Sequence, residues 1–224
     1  MLSIVDLIDA GTVTAVEAAR VISRLRRGSS LLVGARPGGA GKTTVMGAFL
    51  ALLPPARAAM VAERDTRWQQ SCPGDLVVAY EIGQGAYEGY VWGEELRALA
   101  RLGLAGIRIA ANLHADTLDE ARDQIVGDNG VDEEGFRAFG LFVPLRVSRG
   151  RQGFSRRIGM VMTAGEESWR PLDDREAPFP EEPAIRAFIE NAAQSGVRTI
   201  QDLRSEWLGF ERTLPRPASG GVMP

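Results

Sequence analysis

"LLVGARPGGAGKTTVMGAF", residues 31 to 49, decides the fold. The apolar run reads as a buried strand, the glycines as a tight turn, and Lys-Thr-Thr as the start of a helix. That order is what a phosphate-binding loop requires. Glycines let backbone N–H groups turn inward around an anion, and the helix that follows directs its positive end at it. Pro37, Gly38, Gly39, Ala40 and Gly41 would form the cradle and Lys42 would bridge the terminal phosphates. Thr43 would supply a hydroxyl to magnesium, with Thr44 beside it. The pattern departs from G-x-x-x-x-G-K-[ST] at its first position, which holds Arg36. A side chain is tolerated there if φ stays negative, and Pro37 favours an extended residue before it. A glycine-rich turn ahead of an unrelated helix is the competing interpretation, and the strand before the loop and the apolar helix after it argue against that. No N-K-x-D occurs, so guanine specificity is not supported.

Composition narrows the classes. The chain has 224 residues, 45% of them hydrophobic, enough for one sizeable core. A net charge of -3 offers no bulk attraction to nucleic acid or to an anionic membrane. The apolar stretch from Val45 to Leu53 falls short of the roughly 20 residues of a membrane span. Nothing near the N-terminus resembles a secretory signal, and the single cysteine, Cys72, fits a reducing compartment. The expectation is a cytoplasmic protein. Of the 26 cationic residues Lys42 is the only lysine, and His114 is the only histidine. A compact ammonium fits between phosphate oxygens where a planar guanidinium does not.

Residues 2 to 27 read as a helical lead-in ending at Gly28. Short apolar runs at 31 to 35, 58 to 63, 75 to 82, 88 to 93 and 107 to 113 read as strands, most of them apolar throughout as buried parallel strands are. Residues 140 to 163 suggest two strands joined by a Gly- and Arg-rich turn, a hairpin at the sheet's edge. After a Pro-rich linker, "PAIRAFIENAAQSGV" and "TIQDLRSEWLGF" suggest two closing helices, and residues 215 to 224 a disordered tail. The predicted organisation is a lead-in over 1–28, an ATPase core over 29–180, and C-terminal helices over 181–214. The class is α/β with a mostly parallel sheet flanked by helices.

Hydrolysis needs a carboxylate to hold magnesium or polarise water. "DLVVAYEI" ends in Glu81 and "EGYVWGEEL" leads to Glu94, and residue pattern alone favours Glu81, whose strand is the more regular. The segment "IRIAANLHADT" adds an apolar strand ending at Asn112, Leu113 and His114. With it, residues 1 to 165 resemble the motor ATPases of type II and type IV secretion and of type IV pili, which have a RecA-like core. "MVAERDT" is similar to their acidic box, "VWGEEL" to the Gly-Glu of their Walker B strand, and "NLHADT" to their histidine box. The resemblance implies Glu94 as the acid that activates water, Glu63 as a carboxylate near magnesium, and His114 as a sensor of the γ-phosphate. It also implies ATP and magnesium as ligands, a homo-oligomer of six, and a partner protein in a membrane machine. Each residue has a plainer reading: Glu63 as one more solvated charge, Glu94 as an acid in the first turn of a surface helix, and His114 as a histidine satisfied by a backbone carbonyl.

The large N-terminal domain of those motors has no counterpart here beyond its last helices, and the run before Glu94 is broken by Gly89, Tyr90 and Trp92. Two other functions compete with a hydrolysing motor. One is a non-motor ATP-binding assembly or regulatory protein, and the other is a RecA-like nucleic-acid translocase, which the acidic charge disfavours.

Overall fold

The computed structural model describes residues 1–63, 66–85, 87–150, 153–173 and 177–215. Two capped helices open the chain. Ser3 and Asp6 form a capping box on α1 (Ile4–Asp9), and Thr14 and Glu17 do the same for α2 (Ala15–Arg26). The apolar stripe of α2, with Val21, Ile22 and Leu25, is buried.

The sheet is built around β1 (Leu31–Gly34), buried along its whole length because helices cover both of its faces. It is followed by α3 (Lys42–Leu50), β2 (Ala59–Val61), β3 (Leu76–Ile82) and β4 (Tyr90–Val91). Then come α4 (Glu94–Leu104), β5 (Arg108–Leu113), α5 (Leu118–Arg122) and α6 (Glu133–Arg137). The chain goes on through β6 (Leu141–Gly150), β7 (Gly153–Ile158), β8 (Met162–Ala164) and β9 (Trp169–Pro171) to α7 (Glu182–Gln194) and α8 (Ile200–Glu211). The spatial order is β2-β3-β5-β1-β6-β8-β9, with β4 beside β3 and β7 beside β6. Strands β2, β4, β3, β5, β1 and β6 pair in parallel, and the antiparallel pairs lie at the far side. The molecule is mixed α/β with a mostly parallel central sheet between helical layers.

Two apolar cores lie on the sheet's opposite faces. One joins Ile4, Ile22, Leu31, Val33, Phe49, Ile189 and Trp207, so the opening and closing helices pack together on the face that α3 covers. The other joins Leu32, Val77, Leu96, Ile109, Phe136 and Phe142 under α4, α5 and α6. The ends of the chain are also tied by charge. Arg27 Nε donates to Glu181 Oε1 at 2.9 Å, and Ser23 Oγ to Glu182 Oε1 at 3.0 Å.

The hairpin over residues 140 to 163 differs from its expected place at the sheet's edge. Leu141–Leu145 are buried and Leu141, Phe142, Val143 and Pro144 pair in parallel with β1, which makes the first half of β6 an interior strand, and β8 and β9 extend the sheet beyond it. From Arg146 onward β6 leaves the sheet and pairs only with β7. The reason is compositional: "LFVPL" is apolar on both faces, and "RVSRG" is not. The tail expected to be disordered lies outside the described residues from 216 onward.

Candidate functional site

The segment from Ala35 to Gly41 links the end of β1 to the start of α3. Gly39 and Gly41 take φ of 71° and 103°, a left-handed backbone that glycine adopts without strain. Ala40 N–H closes the turn on Pro37 O at 3.2 Å. Gly41 caps α3 with no side-chain acceptor, so the first-turn N–H groups of Lys42, Thr43 and Thr44 have no partner within the helix. Such a terminus favours an anion.

Arg36 fits at the loop's mouth. Among the described residues no non-glycine has positive φ, so its backbone is unstrained. Its N–H donates to Asp116 Oδ1 at 2.9 Å, and its guanidinium pairs with Glu120 at 2.7 Å. The side chain therefore points out to α5 and leaves the cradle clear.

Lys42 is buried, with only 8% of its surface exposed. Its ammonium donates to Ala35 O at 3.2 Å and lies 3.2 Å from Glu81 Oε2. His114 stands on the other side, with Nε2 at 3.8 Å from Glu81 Oε1 and Nδ1 at 3.0 Å from Arg36 O. In the tautomer with its proton on Nδ1 the imidazole donates to that carbonyl and Nε2 faces the carboxylate, while the Lys42 ammonium lies 3.5 Å from the same Nδ1. Asn112 bridges the strands: its Nδ2 donates to Tyr80 O at 2.9 Å and to Thr43 Oγ1 at 3.3 Å. Lys42, Thr43, Glu81, Asn112 and His114 thus meet where the C-terminal ends of β1, β5 and β3 come together, the usual ligand crevice of an open α/β sheet.

Glu81 reaches this point because of an irregularity in β3. The register against β5 shifts between Ala79 and Ile82, and Tyr80 and Glu81 N–H both donate to Gly89 O, at 2.7 and 3.3 Å. That bulge exposes Tyr80 and turns Glu81 inward. Gly89 makes it possible, with φ of 74° and no room for a side chain, since a Cβ there would lie 2.4 Å from the Tyr80 ring. Burial pushes the Glu81 carboxyl above its usual value, and the charges of Lys42 and His114 offset part of that rise.

The other two acids are placed elsewhere. Glu94 begins α4, which follows β4 on the far side of β3, three strands from β1 and so about 14 Å across the sheet. Its carboxylate is exposed and pairs with Arg97 and Arg101, each at 2.9 Å, which holds it below the usual carboxylate range. Glu63 follows β2, at the same distance in strands, and lines a separate depression of about 300 Å³ with Trp68 and Glu95. The acid beside Lys42 is Glu81, where the family resemblance had placed Glu94. Sequence reasoning also passed over Asn112 as a site residue, although a polar side chain ending an apolar strand was a usable signal. It gave no sign of Arg156, on β7, whose Nε donates to Ala40 O at 2.7 Å.

A hard cation fits this donor set. Glu81 Oε1 and Asn112 Oδ1 are buried oxygens without a hydrogen-bond partner, and Asn112 already touches the Thr43 hydroxyl. An ion such as magnesium, held mainly by phosphate and water, needs only one or two protein oxygens of this kind.

No protein-family model and no curated protein matches the chain. Among solved structures its neighbours are secretion ATPases. It is similar to the VirB11 ATPase of the Brucella suis type IV secretion system, with 15% identity, 65% of this chain and 52% of that one covered, and a TM-score of 0.44. The ATPase DotB of Legionella pneumophila aligns at 11% identity over 86% and 55% of the two chains, with a TM-score of 0.44. DotB of Yersinia pseudotuberculosis aligns at 7% identity over 91% and 62%, with a TM-score of 0.47. These likenesses are of fold, and the chain spans 52 to 62% of the length of the proteins it matches.

Proposed function

We propose that this chain binds ATP at the loop from Pro37 to Thr44 and hydrolyses it, with Glu81 as the residue that polarises the attacking water. The observation that carries the reading is the buried contact of 3.2 Å between Lys42 and Glu81 at the mouth of the phosphate cradle. An arriving triphosphate competes for the Lys42 ammonium, and its oxygens replace Glu81 as the lysine's counter-charge. The carboxylate so released accepts a proton from water as the water oxygen attacks the γ-phosphorus and the bond to the β-phosphate oxygen breaks, giving ADP and phosphate. A carboxyl raised by burial is a better base than an exposed one. His114 Nε2 faces the same space and is placed to meet the γ-phosphate, and Asn112 holds the Thr43 hydroxyl in position. Magnesium, held by Thr43 and one of the unpaired oxygens, would neutralise the developing phosphate charge.

Assembly into a homo-oligomer, a ring of six on the motif resemblance, and service to a secretion or pilus machine through a partner protein belong to the same proposal. So does a cytoplasmic site of action. Among the described residues no helix is long and apolar enough to cross a membrane. Glu63 and Glu94, in their observed places, have no part in the chemistry proposed.

The test is phosphate release and nucleotide binding by the wild type, Glu81→Gln and Glu94→Gln. Binding retained with turnover lost in Glu81→Gln, and both retained in Glu94→Gln, supports the assignment; the reverse overturns it. A wild type that binds ATP without releasing phosphate fits the regulatory reading instead.

A further inference from the structure

The two flanks of the loop differ, and the difference says where a nucleoside would go. Glu81 and His114 stand over β3 and β5, so the terminal phosphate, whose bond is to be broken, points to that side of β1. The nucleoside end then extends to the opposite flank, where β6 lies beside β1 and runs on into the hairpin with β7.

The register fixes which hairpin face looks at the loop. Leu145↔Ile158, Val147↔Arg156 and Arg149↔Phe154 share one face and alternate with Arg146↔Arg157 and Ser148↔Ser155 on the other. The first face meets the loop. A Cβ on Gly41 would lie 3.5 Å from Arg156 Cδ and 3.8 Å from Leu145 Cδ2. Arg156 also donates to Ala40 O at 2.7 Å and to Gly39 O at 3.4 Å. Both carbonyls are thereby tied to the hairpin. The other face goes to the helical lead-in, where Arg157 donates to Gly11 O at 3.3 Å.

Phe154 lies two residues beyond Arg156 on the loop-facing side, about 6–7 Å further along the strand. The residue is 65% exposed, and the Arg149 guanidinium stands 6.0 Å from its ring centroid. An exposed phenylalanine beside a guanidinium contributes little to the fold. The pair does match the flat face of a nucleobase, which stacks on aromatic rings and on guanidinium planes.

We propose that Phe154 and Arg149 form the base subsite of the nucleotide, with Arg156 fixing the loop between base and phosphates. This rests on the phosphate-loop reading above. Stacking engages a π-face without reading hydrogen-bond edges, so ATP and GTP bind alike at this subsite. The test is calorimetric titration of ATP, GTP and inorganic tripolyphosphate, with magnesium, into the wild type, Phe154→Ala and Phe154→Trp. Phe154→Ala should bind ATP and GTP roughly tenfold more weakly and tripolyphosphate as the wild type does, with Phe154→Trp restoring the nucleotides. Equal ATP affinity in Phe154→Ala and the wild type overturns the subsite, as does an equal loss for tripolyphosphate, which would mark a structural effect. Wild type that binds tripolyphosphate no tighter than Lys42→Ala does would sink the phosphate-loop reading itself.

Discussion

Glu81 and Glu94 are thirteen residues apart, Glu81 near the end of β3 and Glu94 just after β4, yet their surroundings are opposite. Glu81 is buried against an ammonium and an imidazole, with one oxygen lacking a hydrogen-bond partner and its carboxyl pushed up. Glu94 is solvated, paired with two arginines, and held down. An acid in the second setting is a first-turn helix charge already satisfied by its arginines, whereas an acid in the first retains capacity for chemistry. Proximity in sequence to a Gly-Glu pair did not place a carboxylate in the crevice. The bulge in β3 did.

The largest effect expected from this contrast is at the counter-charge of Glu81. Lys42→Ala should weaken ATP binding by a factor on the order of 100 by calorimetry and abolish phosphate release, since on the proposed reading the ammonium serves both Glu81 and the phosphates. Next comes Glu81→Gln, for which a fall of about 10²–10⁴ in turnover is expected, the usual contribution of a general base. Under the same assay Glu94→Gln should stay within twofold of the wild type, and a large loss there would break the comparison.

The pH profile offers a third test. Below its pKa Glu81 is protonated and cannot accept a proton, so kcat/KM should fall on the acid side. Because burial raises that pKa, the midpoint should lie above the ordinary carboxylate value. An acid limb at the ordinary value, moved by Glu94→Gln, would favour the exposed acid. Limbs unchanged in His114→Gln would separate the carboxyl from the imidazole.

A smaller change is expected at Gly89. Gly89→Ala meets the Tyr80 ring and needs a positive φ, so it should lower the melting temperature by several degrees and lower turnover while Lys42 still binds tripolyphosphate. The smallest effect belongs to Arg36→Gly, which removes an exposed pair with Glu120. Restoring the usual glycine should leave ATP affinity within about twofold.

Much of this could be read from sequence where one force dominates. The stretch from Leu31 to Phe49 combined apolar periodicity, glycine freedom and a lone lysine, and β1, the loop and α3 follow it closely. The parallel strands were visible as apolar runs for the same reason. Position across the sheet was not visible, because strand order is set by long-range pairing. Glu63, Glu81 and Glu94 all follow apolar runs, and only the order β2-β3-β5-β1 tells which of them can reach Lys42. Strand regularity had pointed to Glu81, and likeness to the Gly-Glu motif outweighed it. Arg156 was hidden because its partners are backbone carbonyls, which no side-chain pattern announces.

The contact of Arg156 with Ala40 O also joins parts of the molecule that open on different timescales. Strand β1 is flanked on both sides and fully buried, so its amides should be among the last to exchange with solvent, while the exposed outer half of the hairpin exchanges early. Whatever steadies the loop from within is felt through that guanidinium by the faster region. Slowed deuterium uptake in β7 on addition of tripolyphosphate would then report that the cradle is filled.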